Sequence, residues 1–139
     1  MMPQRSGYGN LPQCGEIDIM EMIEKDPSKN YGTLHFGPVP GSIQLGKNIP
    51  LPQGIFNDAF HVISLEWSEN EIKWFLDGKL FSSFSKKYFG EINYPFIEDF
   101  FLIINLAVGG NWPGNPDINI YKNQFLVVNY VRVFDKKKI

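Results

Sequence analysis

The chain has a single cysteine, Cys14, so no internal disulfide can form. Nothing in the sequence pairs Cys14 with either histidine, His35 or His61, as a cysteine nucleophile would need, so its place beside an acidic strand speaks for packing over chemistry. No apolar run reaches the roughly 18 residues of a membrane-spanning helix, and no membrane partner is expected. Met1 to Arg5 lead into no apolar stretch, so no signal peptide is expected either. Lys and Arg number 13 against 15 Asp and Glu, for a net charge of −2. Without a basic stripe, nucleic acid is not the expected partner. Helical periodicity is almost absent, and there is no internal repeat and no Pro/Ser-rich linker. These absences leave one β-rich domain over residues 1–139, long enough to enclose a core, with no obligate protein partner evident.

Aromatic residues make up 15% of the chain, which fits a β-rich core or surfaces on which sugars stack. The most informative stretch is Gly15-Glu16-Ile17-Asp18-Ile19-Met20-Glu21-Met22. Ile17 and Ile19 favour a strand, and the alternation from Glu16 to Ile19 is the period-two pattern of a half-buried one. Glu16 and Asp18 then share a face. Glu21 falls on the opposite face of an ideal strand, unless one extra residue, a β-bulge at Met20, brings it back. Taken alone, an E-x-D-x-x-E run is usually a solvated polar face. Three acids on one face also suit glycoside hydrolysis, where a retaining pair of carboxyl groups stands about 5–5.5 Å apart. Glu16 and Glu21 would form the pair, and Asp18 would tune their protonation.

The rest of the chain reads as short strands and turns. Ser6 to Cys14 is a loop. Tyr31 to Pro38 is a short alternating strand. His35 on it is either a structural hydrogen-bonder or a contact to the sugar or the acid/base. Pro38 to Gly54, rich in proline and glycine, is expected as loop or very short edge strands. Phe60 to Trp67, Glu71 to Leu76 and Lys79 to Phe84 form a meander with a tight turn at Asp77-Gly78. Trp67 and Trp74 are expected in the core. Phe100 to Val108 is nearly all apolar and reads as a buried strand. Asn105 interrupts it, and either ties backbone or faces the cleft. Trp112 lies in the loop Gly109 to Pro116, where it staples the loop or stacks on a sugar. The last strand is expected at Phe125 to Phe134, and Lys136-Lys137-Lys138 is a solvated end.

Four blocks in order resemble glycoside hydrolase family 16, in its laminarinase-like form: the acidic strand, the Tyr31 to Pro38 strand, the meander, and the Phe100 to Pro116 strand and loop. The resemblance implies an all-β fold, a concanavalin-like jelly-roll sandwich of antiparallel sheets with a cleft across one face. It implies Glu16 as nucleophile, Glu21 as acid/base and Asp18 as their assistant. His35, Asn105 and Trp112 are the candidate substrate-binding residues. The implied activity is retaining endo-hydrolysis of a β-1,3-linked glucan such as laminarin. The alternatives are an agarase- or carrageenase-type galactan hydrolase, or a non-catalytic β-glucan-binding fragment of the same fold. Leu11 departs from the pattern, because relatives often carry a stacking Trp there. No cofactor is expected beyond a structural calcium in the Asn129 region, where relatives often carry Asp. Family members of this kind suggest secretion. The acidic strand normally lies near the middle of its domain, and here only 15 residues precede Glu16. The chain is therefore expected to be the C-terminal part of such a domain, with N-terminal strands missing.

Overall fold

The computed structural model describes residues 1–117, 119 and 123–135; the expected solvated end at Lys136 to Lys138 lies outside them. The chain divides into two units, Met1–Ile103 and Ile104–Ile139. In the first unit, the alternating residues after Gly15 form β2 (Glu16–Glu21), following a two-residue β1 (Met2–Pro3). Then come β3 (Lys29–Phe36), β4 (Ile43–Pro50), β5 (Ile63–Trp67), β6 (Glu71–Leu76), β7 (Lys79–Ser85), one turn of 3-10 helix (Lys86–Phe89) and β8 (Phe100–Phe101). The strands pair antiparallel in three sheets, ordered β2-β3-β4, β5-β6-β7 and β1-β8.

Period-two patterning decides which faces meet. Along β6, Ile72, Trp74 and Leu76 are buried, while Glu71, Lys73 and Phe75 alternate with them on the other side. Ile72 and Trp74 join Ile17 of β2, Leu34 and Phe36 of β3, and Phe89, Tyr94 and Phe96 in one core. Each such side chain contributes about 1.5–3 kcal/mol by leaving water. Asp77 and Gly78 both take positive φ, 49° and 78°. That conformation matches the two-residue turn whose twist suits a hairpin.

Several expectations change. β4 is a full eight-residue strand bonded along the whole of β3, where loop or very short strands were expected. Its prolines flank the strand or end it, and Ile43, Leu45 and Ile49 supply a half-buried alternating face. Pro50 is tolerable because β4 lies at a sheet edge. β5 begins only at Ile63. Trp67, expected in the core, is 39% exposed, and its indole N–H donates to the Phe96 carbonyl at 2.7 Å. Of the apolar run from Phe100, only Phe100–Phe101 pairs, with β1; Leu102 to Ile104, Leu106 and Val108 are exposed.

The second unit contains no strand among its described residues. The stretch expected as the last strand has exposed apolar side chains, with Phe125 at 80%. Apolar composition favours a strand, but a ladder also needs a neighbouring strand to bond to. The described residues around 125–134 provide none.

Candidate active site

The acids lie on β2 and are placed by its register with β3. Glu16 pairs with His35, Asp18 with Thr33 and Glu21 with Tyr31. Three steps along β2, from Asp18 to Glu21, thus match two along β3, which is the signature of one inserted residue. The bulge falls in the stretch holding Met20, and it returns Glu21 to the face of Glu16 and Asp18. Ile17 between them is fully buried on the opposite face.

The bulge is anchored from the second sheet. The Trp74 indole N–H donates to the Asp18 carbonyl at 2.9 Å. Trp74 reaches that carbonyl because Gly32 carries no side chain: a Cβ there would lie 2.4 Å from the indole Cδ1. A glycine on β3 and a tryptophan on β6 therefore fix the backbone that aims the acids.

The electrostatics follow from this crowding. Asp18 is only 16% exposed at its side chain, and its carboxyl is pushed up from 3.8 to about 7. Burial is the main cause, followed by the Glu21 and then the Glu16 carboxylate, with a hydrogen bond to Glu16 acting in the same direction. His35 Nε2 stands 3.3 Å from Asp18 Oδ2, which places His35 on the acidic face. The Thr33 hydroxyl donates to Glu21 Oε2 at 2.9 Å.

The face continues onto β4, where Gln44, Gly46 and Asn48 stand opposite His35, Thr33 and Tyr31. Tyr31, Thr33, Gln44, Gly46, Lys47 and Asn48 line an open depression of about 320 Å³. Its lining mixes polar groups with apolar surface, as a sugar face with hydroxyls at its edge requires. The reading from residues alone missed Thr33, Tyr31, Gln44 and Asn48. The alternation in Tyr31-Gly32-Thr33-Leu34-His35 could have found the first two.

Asn105 and Trp112 belong to the second unit. Both are exposed, Trp112 at 49%. His61 is engaged at the hairpin turn, with Nδ1 2.8 Å from Asp77 Oδ2. Cys14 is buried, and its thiol is pushed up chiefly by that burial. Calcium takes six to eight oxygen ligands. Among the described residues no group of three His, Cys, Asp or Glu side chains could hold a metal ion, and Asn129 is exposed.

The model of the Glycosyl hydrolases family 16 matches residues 2–124. The chain belongs to that family. It is 38% identical over 146 aligned residues to Glucan endo-1,3-beta-glucosidase A1 of Niallia circulans, covering 99% of this chain and 21% of that protein. It is 37% identical to the Beta-glucanase of Rhodothermus marinus, covering 96% and 50%. Among solved structures, the laminarinase catalytic domain of Thermotoga maritima matches with a TM-score of 0.74 and 41% identity, over 85% of this chain and 49% of that one. This family 16 chain shares the antiparallel jelly-roll architecture of the laminarinases. It spans half the length of these relatives or less.

Proposed function

We propose that this family 16 chain carries the catalytic acids of a retaining endo-hydrolase acting on β-1,3-linked glucan. The observation that carries the reading is the bulge that sets Glu16, Asp18 and Glu21 on one face, with the Asp18 carboxyl pushed up to about 7. Glu16 attacks the anomeric carbon and forms a glycosyl-enzyme, while Glu21 protonates the departing oxygen. Glu21 then takes a proton from water, which displaces Glu16 and restores the starting configuration. Asp18 donates a hydrogen bond to Glu16 when it holds its proton, and so shares the charge of the resting pair. The relatives named as glucanases and laminarinase favour glucan over galactan as the polymer. A polymer of this size does not cross a membrane unaided, and secretion of the enzyme is the localisation that suits it. No helix among the described residues is long and apolar enough to cross a membrane.

The test is reducing-sugar release from laminarin, lichenan and agarose by the purified chain and by Glu16→Gln. Release from laminarin that disappears in Glu16→Gln supports the reading. Wild-type-like release by Glu16→Gln, or release from agarose alone, would refute it.

A further inference from the structure

Thr33 occupies the middle of the acidic face, opposite Asp18 on one side and Gly46 on the other. It is 3% exposed, and a buried hydroxyl needs a partner. Its partner is Glu21, whose Oε2 accepts the 2.9 Å bond. Glu21 follows the bulge, and its side chain has three rotatable bonds, so a fixed partner decides where its carboxyl points. The space for the hydroxyl depends on the next strand. A Cβ at Gly46 would lie 3.1 Å from Thr33 Oγ1, 3.3 Å from its Cγ2 and 3.2 Å from the Gly32 carbonyl oxygen. Any larger residue at Gly46 therefore presses on the group that holds Glu21.

We propose that Thr33 is the positioning residue for the acid/base: its hydroxyl fixes the Glu21 carboxyl and, by occupying Oε2, leaves Oε1 to carry the transferred proton, while Gly46 keeps room for it. The inference rests on the proposed role of Glu21. A valine would fill nearly the same space and favour the strand equally well, so the strand itself does not require the hydroxyl.

The experiment compares kcat/KM on laminarin with kcat/KM on a dinitrophenyl β-laminaribioside, whose leaving group departs without a proton. Thr33→Val should lower kcat/KM on laminarin up to about tenfold, the upper worth of one neutral hydrogen bond, and spare kcat/KM on the aryl glycoside. Thr33→Ser should keep both. Gly46→Ala should lower the laminarin value in the parent and spare the aryl glycoside, because its methyl group presses on the hydroxyl that holds Glu21. Equal loss on both substrates, or no loss on either, would overturn the inference. Crystal structures of the parent and Thr33→Val give a second reading that needs no turnover. The Glu21 carboxyl should leave its position in the variant, and an unmoved carboxyl would overturn the inference. With a parent inactive on both substrates, the structural comparison alone decides what Thr33 does, so failure of the proposed function and failure of this inference stay distinguishable.

Discussion

Replacing Asp18 by Asn should make the protein more stable at neutral and alkaline pH while lowering its activity. Unfolded, Asp18 ionises near 3.8; folded, it holds its proton up to about 7. Between these values the native state binds a proton that the unfolded chain has released. Raising the pH through this window therefore removes stability, and the loss is complete above about 7. At ~1.4 kcal/mol per pH unit, the gap is worth at most roughly 4 kcal/mol, and roughly 2–4 after solvent screening at a partly exposed carboxyl. Asn has nearly the same shape and never ionises, so it escapes the penalty. The assay is urea unfolding of parent and Asp18→Asn from pH 4 to 9. The difference should be near zero at pH 4, grow through pH 5 and 6, and level off above about pH 7. The charged or titratable groups beside Asp18 are Glu16, Glu21, His35 and the Met1 ammonium, which favours the ionised carboxyl. Repeating the series in a His35→Gln background removes the imidazole as a source of the trend. A difference independent of pH, or one that shrinks as pH rises, would refute the reasoning.

Three further outcomes follow from the same geometry. Glu21→Ala should lose activity on laminarin, and azide should restore much of its turnover of an activated aryl glycoside with a β-glycosyl azide as product; absence of that product counts against Glu21 as the acid/base. Gly32→Ala drives a methyl group into the Trp74 ring and should cost about 1–3 kcal/mol, read as a lower urea midpoint; an unchanged midpoint would show that Trp74 does not anchor the bulge as described. Apolar side chains are exposed at 102–108 and 125–134, and the chain covers half or less of its relatives' length. Co-expression with the N-terminal half of a relative's catalytic domain should therefore raise the soluble fraction, and an unchanged soluble fraction would count against a missing layer.

The sequence made the acidic face legible because the relevant signals are local. Alternation assigned Glu16 and Asp18 to one side, and the five-residue offset of Glu21 demanded the bulge that the register shows. The Asp77-Gly78 hairpin was legible for the same reason. β4 was hidden because its flanking prolines mask a weak alternating pattern, and its strongest warrant, bonding to β3, is not local. The hold of Trp74 on Asp18 links positions 56 residues apart and left no trace in spacing. At Phe100 to Val108 and Phe125 to Phe134 the local signal was strong, but regular pairing depends on neighbours that composition cannot supply. Thr33 was overlooked because threonine is an ordinary strand residue, and only the register reveals that it faces Glu21.

The central claim is that Glu16 and Glu21, brought to one face by the bulge, act as nucleophile and acid/base of a retaining hydrolase. An activated 2-deoxy-2-fluoro-β-laminaribioside tests it most directly, since the fluorine slows release of the covalent intermediate. Incubation followed by peptide mass mapping should show one disaccharide attached to Glu16, and none in Glu16→Gln. A label on Glu21 or on Asp18, or no label from a chain that cleaves laminarin with inversion, would contradict the account.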